Sequence, residues 1–145
     1  MMKLDVGGAR KIDAPTEQHL AEALDSLETL GTRFVILIDD SFENDFMQAA
    51  ILDEGLIVEF RDGDSGRHYR SEKGMTREAA LALFLAYRRQ QNSYMKNCPW
   101  KDITDLVRRT RRNQLVAWII GIVVLGLLLF GIAYNVFGWR QTPGG

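Results

Sequence analysis

Residues 55–71 read GLIVEFRDGDSGRHYRS, and this stretch decides the fold. The pattern over 56–61 predicts a strand with one buried face. The next four residues, 62–65, are Asp-Gly-Asp-Ser, a composition typical of a turn. A short second strand is expected over 66–71, so the stretch predicts an antiparallel hairpin.

The length of the loop sets the expected register of this hairpin. A loop of four residues places Glu59 directly opposite His68, with Arg61 and Arg70 on the same face. The alternate residues of both strands then face the core.

Two further strands are expected before the hairpin. Residues 34–38 form a short apolar run followed by Asp-Asp-Ser, which predicts a buried strand closed by a turn. An alternating pattern over 45–52 predicts the next strand, and Asp-Glu-Gly at 53–55 separates it from the hairpin. Whether this turn uses two or three loop residues stays open, and so does the face on which each residue of 45–52 lies.

Two amphipathic helices flank the strands. Thr16 is the expected N-cap of the first helix and Gly31 its stop, and the second helix is expected to begin at Met75-Thr76. The order α-β-β-β-β-α with short loops predicts an α+β fold, an antiparallel meander sheet with the two helices on one face. One long C-terminal helix that spans a membrane is expected to follow.

The membrane prediction rests on residues 115–137, which contain no charged side chain. At ~1.5 Å per residue a helix of this length crosses a hydrocarbon core of ~30 Å. The basic segment 101–114 is expected to continue the same helix, and its positive charge places residues 1–100 in the cytoplasm. Residues 138–145 would then form a short non-cytoplasmic tail.

Basic and aromatic side chains are expected at the two membrane interfaces. They are Arg108, Arg109, Arg111, Arg112, Trp118, Tyr134 and Trp139. The arginines suit anionic lipid headgroups rather than nucleic acid, because no aromatic residues are interleaved with them. Ala117 and Gly121 form a small-xxx-small pair that predicts at most a weak homodimer.

The body before the basic segment is acidic. Residues 1–100 hold 17 acidic and 12 basic side chains, net −5. Four of the acidic side chains fall close together and lack the spacing of a calcium loop; they are Asp39, Asp40, Glu43 and Asp45. We expect a solvated loop that faces a basic protein partner.

Residues that carry chemistry are few. His19 and His68 are the only histidines and Cys98 is the only cysteine, so neither a Cys/His zinc cluster nor a disulfide within the chain can form. We expect no metal and no cofactor. Glu59 with His68 could act as an acid/base pair, but an ordinary cross-strand charge pair is the preferred interpretation. The sequence therefore predicts a protein that is not an enzyme.

Several stretches between residues 16 and 100 resemble the first immunity-protein family of bacterial polymorphic toxin systems. They are Met47-Gln48-Ala49, the run 55–63, His68-Tyr69, the helix from Thr76 to Tyr87, and Trp100. The resemblance implies a small α+β domain that binds and neutralises a cognate toxin. Glu59, Arg61 and His68 match the family pattern, and we expect them, together with the acidic residues of the loop 39–45, to bind the partner. The membrane segment departs from that pattern.

Two functions follow as expectations. The first is a membrane-anchored immunity protein of the bacterial inner membrane, single-pass with its N-terminal domain in the cytoplasm, which neutralises a basic toxin by occlusion. The second is a small accessory or adaptor subunit of an inner-membrane complex, in which the helix 115–137 is the packing surface.

Overall fold

The structure, a computed structural model, describes residues 1–91, 93–110 and 112–113. In chain order the elements are β1 (Met2–Val6), β2 (Arg10–Asp13), α1 (Glu17–Thr29), β3 (Val35–Asp39), β4 (Asp45–Leu52), β5 (Gly55–Arg61), β6 (His68–Ser71), α2 (Arg77–Arg88), α3 (Ser93–Lys96) and β7 (Trp100–Asp102). The strands form one antiparallel sheet in the order β2-β1-β3-β4-β5-β6-β7. An antiparallel sheet with helices confirms the α+β class.

Alternation along the strands separates the two faces of the sheet. On β5, Leu56, Val58 and Phe60 are buried in one cluster with residues of α1 and α2, so both helices cover that face. Glu59 and Arg61 lie on the other face, which we call the second face. The buried cluster runs through Leu4, Leu20, Leu24, Val35, Leu37, Met47, Ala49, Leu83 and Phe84.

The predicted helix starts are confirmed. The Thr16 side chain accepts a hydrogen bond from the His19 backbone N–H (3.3 Å), and His19 Nδ1 accepts one from the Thr16 N–H (3.2 Å). Thr76 caps α2 by accepting from the Ala79 N–H at 3.3 Å. Gly31 has a φ of +63°, a left-handed conformation that favours glycine just after a helix.

The hairpin register differs by two residues from the expected one. Arg61 pairs with His68 and Glu59 with Arg70, so the expected direct pairing of Glu59 with His68 is wrong. The Asp62 N–H bonds to the Arg67 carbonyl at 3.0 Å, so the four residues between the bonded positions are 63–66 and not the expected 62–65. A shift of two residues leaves each side chain on its face, and Glu59 and His68 are diagonal neighbours on the second face.

The sheet is also larger than the expected four strands. The hairpin β1–β2 extends one edge of the sheet beyond β3. Its sequence signal is weak, because only alternate residues such as Leu4 and Ile12 are apolar. At the other edge β7 pairs with β6. Lys101 and Asp102 therefore lie in a strand rather than in the expected helix 101–114, and the helical residues begin at 104.

The turn between β4 and β5, which the sequence left open, has two loop residues. Leu52 pairs with Gly55, so the loop is Asp53-Glu54. Met47 and Ala49 consequently face the helices, whereas Phe46 and Gln48 lie on the second face.

The chain divides into two units, Met1–Asp105 and Leu106–Gly145, and every named element lies in the first. Among the described residues no helix has the length and hydropathy needed to cross a membrane. The predicted span 115–137 and the predicted tail 138–145 lie outside the described residues. So do Arg111, Ala117, Gly121, Trp118, Tyr134 and Trp139.

Gly74 provides a test of how the β4–β5 turn packs. A Cβ at this position would lie 2.0 Å from the Glu54 carbonyl oxygen and 3.3 Å from the Gly55 Cα, both backbone atoms. We expect Gly74→Ala to lower the free energy of unfolding by about 2–3 kcal/mol, because the backbone must shift to make room. Chemical denaturation of the full chain in mild detergent measures this value.

Gly31→Ala is the control for this prediction. A Cβ at Gly31 meets nothing within 4 Å, so only the left-handed conformation is penalised, by about 1 kcal/mol. Equal losses of stability in the two variants would contradict the steric argument.

Candidate functional site

Four carboxylates meet in one cavity of about 270 Å³ at the end of the sheet, which we call the acidic pocket. The antiparallel order places the β3–β4 loop and the β5–β6 loop at this same end. The lining residues are Asp39, Asp45, Asp62, Asp64, Met2, Phe42, Tyr87, Gln90 and Tyr94. No lysine or arginine is among these lining residues.

Asp39 ends β3 and is buried, with 4% of its surface exposed. Its carboxylate accepts hydrogen bonds from the Ser41 backbone N–H (2.9 Å) and from Gln90 Nε2 (3.1 Å). Burial pushes the pKa of Asp39 upward, but the bonds from Ser41 and Gln90, together with the N-terminal ammonium of Met1 at 3.7 Å, outweigh it and lower the pKa. Asp39 is therefore an anion held in place by its own fold.

Asp45 begins β4 directly opposite Asp39. The Tyr87 hydroxyl, from the last turn of α2, donates a hydrogen bond to the Asp45 carboxylate. Burial raises the pKa of Asp45, and the negative charges of Asp39 and Asp62 add to this rise. The ionised form of Asp45 is thus less favourable here than in water.

The β5–β6 loop supplies the remaining two carboxylates. Asp62 accepts hydrogen bonds from the Asp64 N–H (3.1 Å) and the Ser65 hydroxyl (2.6 Å), so the loop is held by its own contacts. At Gly63 a Cβ would lie 3.1 Å from the Cβ atoms of both Phe42 and Asp45. Close approach of the two loops at this glycine brings their carboxylates together.

The expected solvated loop is therefore wrong for two of its four members. Asp39 is buried and Asp45 is half-buried, because side chains from α2 and from the segment after it reach them. Asp40 is exposed and forms an ion pair with Lys3, and Glu43 is exposed.

The lining of the acidic pocket suits an organic cation. Carboxylates bind guanidinium and ammonium groups through charge-assisted hydrogen bonds, and aromatic faces attract the same cations. Phe42 and Tyr94 provide such rings, and burial raises the pKa of Tyr94 to about 12, so its hydroxyl stays neutral. Within residues 1–91, 93–110 and 112–113 no group of three His, Cys, Asp or Glu side chains could hold a metal ion.

A second polar cluster lies on the second face, around Glu59. His68 Nε2 lies 3.2 Å from Glu59 Oε2, and Gln48 Nε2 donates to the same oxygen at 2.7 Å. The Arg70 guanidinium lies 3.9 Å from the other Glu59 oxygen. Although burial opposes it, hydrogen bonds from His68 and Gln48 lower the pKa of Glu59.

This arrangement favours the cross-strand charge pair over an acid/base pair. A carboxylate that already accepts hydrogen bonds and has a lowered pKa is a weak base. Arg61 is half-buried beside His68, as its pairing requires. The structure thus brings Glu59, Arg61 and His68 together, but on a different surface from Asp39 and Asp45.

Cys98 lines another cavity, of about 360 Å³, with Met75, Ala79 and Leu83 on its apolar wall. Burial raises the pKa of the Cys98 thiol, so it is protonated at neutral pH and a weak nucleophile.

Of the predicted membrane-interface residues, Arg108, Arg109 and Arg112 are exposed.

Sequence reasoning missed Asp62 and Asp64 as site residues because their Asp-Gly-Asp-Ser stretch also suits a turn. It missed Tyr87 and Gln90 because their partners on β4 and β3 lie 42 and 51 residues away in sequence, and it missed Tyr94 because its ring contacts are with the distant Phe60 and with Tyr87. A usable signal was available for Asp62 and Asp64. In a meander, alternate loops share one end of the sheet, and both acidic loops fall at that end.

The lowered pKa of Glu59 makes a pH prediction. A carboxyl whose pKa is lowered by folding stabilises the protein above its unfolded pKa of about 4.3, and this contribution is lost as the pH falls through the folded value. We expect Glu59→Gln to lose less stability than the unaltered chain between about pH 5 and pH 3. Urea unfolding across this range measures the difference, with the exposed Glu28→Gln as control.

An acid sensitivity in Glu59→Gln equal to that of the unaltered chain would contradict this assignment. The same conclusion would follow if Glu28→Gln reduced the sensitivity as much.

Comparison with known proteins gives no relative for this fold and its acidic pocket. No protein-family model matches the chain. No curated protein and no solved structure matches it either. The likeness to the first immunity-protein family therefore rests on the residues quoted above, and the geometry of the site carries the functional argument.

Proposed function

We propose that the chain is a membrane-anchored immunity protein that binds a basic toxin and neutralises it by occlusion. The observation that carries this proposal is the acidic pocket, in which Asp39, Asp45, Asp62 and Asp64 share one cavity without a lining lysine or arginine. The N-terminal ammonium of Met1 lies 3.7 Å from Asp39, and a basic side chain of a partner would supply further positive charge to the pocket.

The ionised Asp45 carboxylate opposes folding, which supports a role in binding. Burial and neighbouring carboxylates raise the pKa of Asp45, so keeping it ionised at neutral pH reduces the free energy of unfolding. Stability given up at one place is typical of surfaces kept for function. A bound guanidinium or ammonium group would reverse this effect.

Phe42 supports a protein partner rather than a small cation. It is 45% exposed at the mouth of the pocket, in the loop between β3 and β4. Aromatic side chains beside buried polar groups are common at the energetic centre of protein interfaces. Glu43, exposed on the same loop, would extend the contact at its rim.

Charge also favours rapid capture. Residues 1–100 carry a net charge of −5, and complementary charge raises association rates with basic proteins. Toxins that attack nucleic acid present basic surfaces for their substrate. If a toxin bound the acidic pocket through its basic surface, that surface would be covered and could not reach nucleic acid. This is the basis of occlusion.

Anchoring is the second part of the proposal. The uncharged segment 115–137 with the basic residues before it would hold the body at the cytoplasmic side of the bacterial inner membrane. The resemblance to an immunity-protein family and the acidic pocket both point to protection of the cell from a toxin at this membrane.

Charge reversal in the pocket tests the binding surface. We expect Asp62→Lys with Asp64→Lys to reduce the recovery of a basic partner at least about tenfold, because the pocket then repels the cation. The measurement is affinity capture of the full chain from its native membranes in mild detergent, with quantitative mass spectrometry of the proteins that co-purify.

Glu28→Lys with Asp53→Lys is the matched control. It makes the same change in net charge at two exposed positions, one late in α1 and one in the β4–β5 turn at the opposite end of β4. If the control lost the partner as completely as the pocket variant, net charge and not the pocket would be responsible.

Replacing residues 115–137 by leucines tests the role of the anchor. An immunity protein needs the segment only for location, so we expect capture of the basic partner to stay within about twofold. An accessory subunit would instead lose its co-purifying membrane proteins, because specific helix packing would be gone. That second result would overturn the proposal in favour of the adaptor function.

A further inference from the structure

Strand β2 forms one edge of the sheet, and its outward backbone groups alternate with inward ones. The Ala14 N–H bonds to the Met2 carbonyl at 3.0 Å, so the even-numbered residues of β2 bond to β1. The bond from the Gly7 N–H to the Phe34 carbonyl (2.9 Å) agrees, since it commits the odd-numbered residues of β1 to β3. The N–H and C=O groups of Lys11 and Asp13 therefore point away from the sheet.

We infer that β2 pairs with β2 of a second copy of this chain, antiparallel about a two-fold axis at Ile12. A two-fold axis normal to the sheet makes some residue of β2 face its own copy. With Ile12 at the axis, Lys11 of each copy faces Asp13 of the other. These are the residues with outward hydrogen-bonding groups, so each such pair makes two backbone hydrogen bonds.

Charge selects this register over its neighbours. With Lys11 at the axis, two lysines would face each other, and with Asp13 at the axis, two aspartates would do so. With Ile12 at the axis, opposite charges meet at both hydrogen-bonded positions. Both the backbone geometry and the side chains thus favour the same pairing.

The pattern extends beyond β2. Within one copy Asp5 pairs with Lys11 and Lys3 pairs with Asp13 across the β1–β2 ladder. In the dimer the row Asp5, Lys11, Asp13 and Lys3 would run across four strands with alternating sign. On the opposite face Ile12, half-buried against the core, would meet the Ile12 of the second copy.

The paired surface is small, because β2 has only four residues. Interfaces of this size are weak in dilute solution. The dimer is therefore best trapped covalently, in the full chain and in its own membranes. Such a dimer would place two acidic pockets in one assembly.

The test uses Ile12→Cys in a Cys98→Ala background. Residues at a non-hydrogen-bonded antiparallel position have Cα atoms about 4.5 Å apart, within the range that a disulfide spans. We expect mild oxidation of membranes to give a disulfide-linked dimer.

Lys11→Cys in the same background is the matched control. In the inferred register its two copies are offset by two residues, about 7 Å along the strand, which is too far for a disulfide. We expect roughly fivefold less linked dimer than for Ile12→Cys.

A third variant adds Lys11→Pro to Ile12→Cys. Proline at 11 removes only an outward N–H, so it spares the β1–β2 ladder but blocks the edge. We expect the disulfide-linked dimer to disappear while the thermal unfolding temperature stays within a few degrees.

Equal trapping at positions 11 and 12, no trapping at 12, or trapping that survives Lys11→Pro would each overturn the inference. Equal trapping at the two positions is the result expected for association through Ala117 and Gly121 alone. All these outcomes are independent of partner capture by the acidic pocket.

Discussion

The ring of Phe60 is the contact on which the rest of the domain depends. It is fully buried on β5, stacks on Tyr69 of β6 at 4.8 Å, and meets Trp100 of β7 edge-on at 4.7 Å. The Tyr94 ring of α3 meets the Phe60 ring edge-on at 5.2 Å, and it also meets the Tyr87 ring of α2 at 5.5 Å. The packing that closes the core therefore also sets two walls of the acidic pocket.

The carboxylates of the pocket follow from connectivity. Three antiparallel strands in sequence return the chain to the same end, so the loops after β3 and β5 are neighbours although they lie far apart along the chain. Gly63 lets these loops approach closely, and Tyr87 reaches Asp45 from the last turn of α2. A rigid scaffold thus concentrates like charges that would separate in a flexible chain, at the expense of the ionisation of Asp45.

The features that the sequence predicted correctly are those that neighbouring residues determine. The strand 45–52 and the caps Thr16 and Thr76 were predictable, because alternation and capping involve neighbouring residues. The hairpin register was not, since it depends on backbone bonds made by Asp62 inside the loop. The burial of Asp39 was not predictable either, because its donor Gln90 lies on a distant segment. The edge strands β2 and β7 are short and polar, so their signal is weak.

The two clusters that the sequence predicts as partner-binding lie on different surfaces and differ in their charge balance. Glu59 accepts hydrogen bonds from Gln48 and His68 and lies near Arg70, so its charge is matched within the sheet. In the acidic pocket, neutral donors such as Tyr87 and Gln90 meet the carboxylates, and no lysine or arginine lines the cavity. The N-terminal ammonium of Met1 lies 3.7 Å from Asp39, but the carboxylates of the pocket outnumber it. Neutral donors stabilise an anion less than a paired cation does, so the pocket retains a field that a basic partner can use. That difference is the physical reason for placing the partner at the pocket and assigning the Glu59 cluster to the fold.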